Sequence, residues 1–378
     1  ATVTEVAVGK VVEPGQEVEI SVPMKAPAED GTYRSVWALK SGNTAIPGGS
    51  FYVLFKIGEA APAPAPVAPV APVAGGPFEL GGHIMQGFAY ADYMRSAGMT
   101  WVKEQVRYPN DPSGVIAAAH ANGFKIQLSA LGESGMVTQG GFEDAIAQWV
   151  AGMAAAGADA IEIWNEPNLD REWAYSAMTP QNYTNLLCRA YAAIKGANPG
   201  TKVISAAPAP TGAFGGGGCI DLGGGQKQCG IDDIPWLQGL ANAGAANCMD
   251  YIGAHHNSGA TAPSATSGHP ADPASTHHSW FFLPQTRAYY SIFGGSRKLF
   301  YTELGYVSPE GYGAIPGPFA WAAGTTVAQQ AQWLGEVVTL SRQTGMVANV
   351  IVWNVGATCY GMCGGVPDPQ AGYNIIRP

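Results

Sequence analysis

Cationic side chains are scarce in this chain: 19 Lys and Arg stand against 28 Asp and Glu among 378 residues, a formal charge of −9. A nucleic-acid surface neutralises phosphates with clustered cations, so a nucleic-acid partner is not expected, and an uncharged polymer suits the balance better. No run of eighteen apolar residues occurs, so no membrane-spanning helix is expected. The chain does not open with a charged segment and an apolar core, so any secretory leader is expected to have been removed or never included.

Metal and nucleotide signatures are missing too. There is no paired C-x-x-C pattern and no helical His-x-x-x-His spacing, and the glycine run at 215–218 does not lead into the Gly-Lys-Ser/Thr ending of a phosphate loop. No cofactor is expected. A zinc site built from His255, His256, His269, His277 and His278 is the competing reading. The six cysteines are few but even in number, which points to disulfides and a secreted or extracellular protein. Cys219 with Cys229 and Cys359 with Cys363 would close local loops, leaving Cys188 to meet Cys248; buried free thiols are the alternative.

What is present falls into three parts. Residues 1–58 alternate as strands over 2–8, 16–22, 31–39 and 51–57, separated by Pro, Gly and Asn turns, which predicts a small β module. Residues 59–77 repeat proline too densely for a helix or a sheet interior and predict an extended polyproline tether. From residue 78 to 378, short apolar runs alternate with helical stretches, the pattern of a parallel α/β barrel. Eight strands are expected over 83–88, 101–107, 125–130, 160–165, 202–206, 251–256, 298–303 and 350–355. Six helices are expected over 112–121, 142–156, 180–196, 234–243, 281–292 and 327–344. Thr179 is placed to cap the helix that Pro180 begins, and Gly196 and Pro199 to end it.

The most informative stretch is Ile161-Glu162-Ile163-Trp164-Asn165-Glu166-Pro167-Asn168, an alternating apolar run that stops in an amide, a carboxylate and a proline. Proline cannot continue a ladder, so Asn165 and Glu166 should stand at a strand end, where barrel enzymes keep their chemistry. A second run, from Lys298 to Tyr306, carries Glu303, 137 residues later, a spacing that suits three further βα units. Two carboxylates across a cleft suit glycoside hydrolysis: one donates a proton to the leaving oxygen while the other attacks the anomeric carbon.

Trp164-Asn165-Glu166-Pro167 resembles the fourth-strand signature of the clan A retaining glycoside hydrolases, the group that includes cellulases, mannanases and β-xylosidases; the wording is nearest to families 39 and 5. The resemblance implies a (β/α)8 TIM barrel, with Glu166 as general acid/base, Asn165 on the sugar 2-hydroxyl and Glu303 as nucleophile. It further implies that Trp353 floors the sugar subsite and that one of His255 and His256 faces the nucleophile; His256, nearer the loop, is favoured. Clan members usually place an arginine on the second strand, whereas Gly98-Met99-Thr100-Trp101-Val102-Lys103 puts Lys103 there, with Arg107 competing. Either cation would keep Glu303 ionised while Glu166 stays protonated.

Trp173, Tyr175, Trp280, Phe281, Tyr306, Tyr312, Phe319 and Trp321 fall in or beside the expected rim loops; Trp173 and Tyr306 are the leading candidates to stack on sugar rings. The N-terminal residues, including Gly31-Thr32-Tyr33-Arg34-Ser35-Val36-Trp37 and Phe51-Tyr52-Val53, resemble the later half of the NBR1-type immunoglobulin-like domain, which implies a partial β-sandwich-like module in contact with a cell surface or matrix. The expected whole is a secreted, retaining β-glycoside hydrolase that cuts a polysaccharide or oligosaccharide internally. An exo-acting β-glycosidase such as a β-xylosidase is one alternative, and a non-catalytic carbohydrate-binding or surface-scaffold protein is the other.

Overall fold

The computed structural model describes residues 6–7, 27, 31–42, 44–57, 77–312, 315–356, 362–363, 366–367 and 371–377. The chain divides into two compact units, 1–69 and 70–378. In the first, strands β1 (Gly31–Ser41) and β2 (Thr44–Ile57) pair antiparallel with Gly31 opposite Ile57 and Trp37 opposite Phe51. Gly42, at φ +59°, makes the left-handed turn between them, which glycine adopts without a steric penalty. The strands expected over 2–8 and 16–22, and the tether over 59–76, lie outside the described residues, as does Cys359; the side chain of Cys363 is not described either.

The second unit is a (β/α)8 barrel. Its strands are β3 (Glu79–Ile84), β4 (Trp101–Arg107), β5 (Lys125–Leu131), β6 (Ala160–Ile163), β7 (Lys202–Ser205), β10 (Ile252–Gly259), β11 (Leu299–Tyr306) and β12 (Val347–Gly356). They pair in parallel in chain order, and β12 returns to β3. The seam between β7 and β10 is closed by a parallel bridge from Ile204 to Tyr251, with Ser205 N donating to Tyr251 O at 3.1 Å. Gly253 permits this seam: a Cβ there would lie 2.0 Å from the Ser205 carbonyl oxygen.

Alternation along the strands sorts the side chains. On β4, Val102 and Val106 join the core under the helices, while Trp101 points into the barrel. There it packs with Ala160, Ile204, Phe300 and Ile351, an apolar floor at the N-terminal end of the strands. The next inward layer is polar. Glu162 of β6, fully buried, accepts hydrogen bonds from Thr302 Oγ1 at 2.8 Å, Ala207 N at 3.0 Å and Ser129 Oγ.

The outer helices are α1 (Ala91–Ser96), α2 (Ser113–Ala121), α3 (Phe142–Ala155), α4 (Pro180–Ala197), α5 (Asp233–Asn242), α6 (Phe282–Ile292) and α7 (Val327–Thr344). Thr179 caps α4 by accepting from Asn182 N at 3.1 Å, with Pro180 in the first turn as expected. The helix runs one residue past Gly196, and Asn198 ends it. A capping box of Thr326 and Gln329 opens α7, and Gly345 in the left-handed region closes it.

The first strand departs from expectation, lying at Glu79–Ile84 rather than 83–88. The strand takes in Gly81 and Gly82, and a Cβ on Gly81 would sit 2.6 Å from Trp101 Cβ, so glycine makes room for the floor. Residues 218–230 are not a plain loop either. They form an antiparallel hairpin of β8 (Gly218–Gly223) and β9 (Gln226–Gly230) with left-handed glycines at 223–225. Cys219 and Cys229 face each other across it and are bonded. Cys188 on α4 is bonded to Cys248, just before β10, and ties the outer ring.

The two bridges close loops of different length, with separations of 60 and 10 residues. The chain-entropy model assigns about 4 kcal/mol to the longer and about 3 kcal/mol to the shorter. Denaturant unfolding of the paired variants Cys188→Ser/Cys248→Ser and Cys219→Ser/Cys229→Ser should therefore show the larger loss for the first pair; the reverse order would contradict the loop-length account.

Candidate active site

β6 ends in a distorted turn. Trp164 has φ +79° and Glu166 φ +39°, values that side chains with a Cβ rarely adopt and that cluster at functional sites. The distortion is held from several sides. The Trp164 indole donates to Glu172 O at 2.8 Å, and Asn168 ties the turn to the loops beyond β7 through Ala209 and Ile231. Glu166 is thereby delivered to the C-terminal rim.

Glu303 reaches the same place by another device. Strict alternation on β11 would turn it outward, because Tyr301 packs under the helices and Thr302 points in to Glu162. The pairing with both neighbouring strands slips at this point, with Ala254 opposite Tyr301 but His255 opposite Glu303. The extra residue forms a β-bulge that lets Thr302 and Glu303 both face the barrel axis.

The two carboxylates meet across one imidazole. His255 Nδ1 lies 3.0 Å from Glu166 Oε1 and 3.9 Å from Glu303 Oε2, so those oxygens are at most about 7 Å apart, and closer for any bend at the nitrogen. Lys103 Nζ donates to Glu303 Oε1 at 2.8 Å and Asn257 Nδ2 to Oε2 at 3.0 Å. Arg171 donates to Glu166 Oε2, and its Nε lies 3.7 Å from Glu172 Oε1. Burial alone would raise the Glu303 carboxyl, but Lys103 and His255 outweigh it and pull it down to about 2. Burial likewise opposes a charge on His255, and the negative charges of Glu303 and Glu166 overcome it, raising the imidazole.

Glu166 corrects an expectation. Burial pushes its carboxyl up, but the hydrogen bond and charge of His255, followed by Arg171, leave it below its ordinary value, so the free site favours the carboxylate rather than the acid.

The structure also separates the remaining candidates. Lys103, fully buried, serves Glu303; Arg107 lies roughly 13 Å further along the same strand face, half-exposed beside Glu133. His255, not His256, faces the carboxylates, because alternation turns His256 outward to Gln285 Oε1 at 2.8 Å on α6. Trp173 is fully buried among Trp164, Tyr183 and Phe142, and Tyr306 is buried against Trp333 and His256, so both belong to the packing under the helices rather than to the cleft. Trp353 is half-buried, 5.6 Å from Lys103 Nζ and 4.5 Å from the His83 ring, and its peptide bond to Asn354 is cis. Asn165 is buried beside Glu166, its amide oxygen without a hydrogen-bond partner among the described residues.

Sequence reasoning missed Arg171, Asn257, His83 and Glu162. Asn257 follows His255 by two and shares its face, so alternation could have found it; Arg171 sits in a loop and carries no periodic signal. The rival zinc reading finds no cluster. His269 stacks on Trp280 at 4.2 Å and His278 Nε2 is 2.8 Å from Asp233, and among the described residues no group of three or more His, Cys, Asp or Glu could hold a metal ion.

Residues 1–56 match the sequence family described as the Ig-like domain from next to BRCA1 gene. No curated protein matches the chain. Among solved structures, the chain is similar to a family 39 glycoside hydrolase from the gut symbiont Bacteroides cellulosilyticus WH2, with a TM-score of 0.53 and 19% identity over 92% of this chain and 67% of that one. It is also similar to the endo-1,4-β-mannanase of Rhizomucor miehei, with a TM-score of 0.47 and 14% identity over 79% of this chain and 93% of that one. At 19% identity, the first likeness is one of fold.

A depressed carboxyl stabilises the fold above its unfolded-state value and ceases to do so as it is protonated. For Glu303, held near 2, that contribution is on the order of 3 kcal/mol and disappears between about pH 4 and pH 2. Lys103→Met should lower stability at neutral pH by about 3 kcal/mol and flatten the acid loss over that window, read from melts across pH. Parallel pH profiles for the two proteins would refute the pairing as the source.

Proposed function

We propose that the chain is a retaining β-glycoside hydrolase that cuts a polysaccharide internally, with Glu303 as nucleophile and Glu166 as general acid/base. The observation that carries this reading is the convergence of these two glutamates, from the fourth and seventh barrel strands, on one imidazole at the C-terminal rim. That rim is where TIM-barrel enzymes keep their catalytic groups.

The chemistry follows from the geometry. Lys103 and Asn257 hold Glu303 ionised and oriented, with one oxygen toward each donor. It attacks the anomeric carbon while Glu166 gives a proton to the glycosidic oxygen, so the carbon–oxygen bond breaks and a glycosyl ester of Glu303 remains. Glu166, now a carboxylate, takes a proton from a water molecule; that water attacks the same carbon and frees Glu303. The carboxylate oxygens beside the imidazole are at most about 7 Å apart, a bound that admits the roughly 5 Å of direct attack in a retaining enzyme. His255 Nδ1, 3.0 Å from Glu166 Oε1, is placed to exchange a proton with it.

Asn165, with its unpaired amide oxygen, is the group to meet the sugar 2-hydroxyl, and Trp353 is the face on which the ring stacks. From Trp353 an aromatic row continues through Tyr373, Phe319, Trp321, His269 and Trp280, with successive ring centres from Phe319 to Trp280 separated by 6.0, 5.5 and 4.2 Å. Tyr373 and His269 in this row are buried, and the half-buried Trp280, Phe319 and Trp321 are the faces that support an extended cleft and a polymeric substrate. The mechanism requires no cofactor. Residues 78–378 are assigned as the catalytic domain, 59–77 as a tether and 1–58 as a partial immunoglobulin-like module that contacts a cell surface or matrix. The two disulfides support a secreted protein.

The test is reducing-sugar release from a panel of β-glucans, mannans, xylans and galactans, with product lengths resolved. Wild type should release mixed oligomers from at least one member, and Glu303→Gln should lose activity by at least 1,000-fold, on the order expected for a transition-state interaction. Monosaccharide as the sole product would assign exo action. Binding without release by both proteins would replace the enzyme reading with that of a carbohydrate-binding scaffold.

A further inference from the structure

Arg171 has no place in the scheme above, yet it is paired directly with the general acid/base. Its half-exposed guanidinium donates to Glu166 Oε2 and lies 3.7 Å from Glu172 Oε1, so it stands between two carboxylates five and one residues away in sequence. A carboxylate clamped by a guanidinium is a poor proton donor, because protonation would break a charge-assisted bond. For Glu166 to act as an acid, this contact must give way.

We propose that Arg171 is a positioning residue that works as a removable counter-ion: it clamps Glu166 in the empty site and transfers to Glu172 when a sugar enters, releasing Glu166 to take the proton of His255. The inference rests on the assignment of Glu166 as acid/base. It is a transfer over a short distance, since Glu172 Oε1 already lies 3.7 Å from Arg171 Nε as the second ion-pair neighbour of the guanidinium. It is also self-consistent electrostatically. Burial first, and the charge of Glu166 second, hold the Glu172 carboxyl up. When Glu166 accepts a proton, that second contribution vanishes and Glu172 becomes the stronger partner. The proton moves from His255 Nδ1 to Glu166 Oε1 across 3.0 Å; the imidazole becomes neutral and Arg171 keeps a counter-ion throughout.

The groups that face Glu166 are few. Arg171 and Glu172 come from its own loop, His255 from β10 and Glu303 from β11, with Lys103 of β4 acting through Glu303 and Tyr373 approaching from the C-terminal segment. Arg107, half-exposed beside Glu133, acts on Glu172; among the described cations that act on Glu166, Arg171 is the half-exposed one and can rotate away without leaving a charge buried.

The titration of Glu166 can be read without catalysis, from the carboxyl carbon resonance in protein carrying 13C-labelled glutamate, assigned by its loss in Glu166→Gln. Arg171→Gln should raise the midpoint by about one pH unit, the low end for loss of a neighbouring opposite charge. Arg171→Lys should give a smaller rise, and melting curves should confirm that both variants fold. Unchanged or lowered midpoints in Arg171→Gln would overturn the clamp. On whichever glycan the wild type cleaves, the basic limb of kcat/KM, which follows protonated Glu166 in the free enzyme, should move to higher pH by the same amount. Glu172→Gln, which removes the receiving carboxylate, should lower kcat several-fold with little change in KM, and adding Arg171→Gln should restore it. A Glu172→Gln rate equal to wild type would overturn the transfer. Because the resonance titration needs no substrate, a protein inactive on every glycan would refute the proposed reaction while leaving the clamp to be decided on its own.

Discussion

Two buried carboxylates within about 7 Å of each other are the constraint around which the barrel interior is arranged. Like charges at this separation in a poorly solvated site cannot both persist unless cations stand beside them. Lys103 and Arg171 are those cations, with the His255 imidazole between the carboxylates, and the three differ in how firmly they are held. Lys103 is fully buried on the second barrel strand, with Glu303 as its side-chain acceptor among the described residues, so it fixes Glu303. His255 bridges the pair. Arg171 reaches in from the rim. This grading, from fixed to mobile, matches the roles assigned above: a nucleophile that never takes the proton and an acid/base that must.

The interior beneath is organised to support this charge. An apolar floor of Trp101, Ala160, Ile204, Phe300 and Ile351 closes the lower end, so the carboxylates have no access to water from below. Between floor and rim, Glu162 is a third buried carboxylate, held by donors from β5, the end of β7 and β11. By joining Thr302 to the backbone at Ala207, it fixes the β11 bulge relative to the fourth and fifth strands, and so fixes Glu303 relative to Glu166. Breaking a buried network of this kind leaves uncompensated polar groups, which is why such networks specify one geometry.

Much of this was legible in the sequence, and the omissions share a cause. Runs with clean periodicity were found to within a few residues: β4 and α7 fall where expected, and the Thr179-Pro180 start of α4 was readable from capping chemistry alone. The glutamates were found because a strand-ending motif is local. Errors arose where parity decided the outcome. His255 and His256 differ by one residue, and only the pairing of β10 says which is inside. Glu303 would have been turned outward by the same rule had the bulge not intervened. Trp173 and Tyr306 share the aromatic character of cleft residues, and their burial beneath the helices depends on partners from other elements, Phe142 and Tyr183 for Trp173 and His256 and Trp333 for Tyr306. Arg171 and the short α1 lacked any period to detect.

The backbone around Arg171 explains why a transfer of its side chain, rather than an opening of its loop, is the motion the site permits. Leu169 bridges Gly230 of β9, Asp170 N donates to Cys229 O at 3.0 Å, and Cys229 N returns a bond to the Asp170 carboxylate at 2.9 Å. On the other side, Trp173 N is bonded to Leu169 O, and the Trp164 indole holds Glu172 O. The hairpin that provides the first set of bonds is itself stapled by Cys219 and Cys229. The two residues on each side of Arg171 are therefore pinned at the main chain while the guanidinium remains half in solvent. Lifting the loop would break several of these bonds together, each worth about 1 kcal/mol; rotating one side chain between two carboxylates breaks none of them. A rigid frame with one rotatable cation can change the charge on Glu166 without disturbing its position, and position is what the proposed attack by Glu303 depends on.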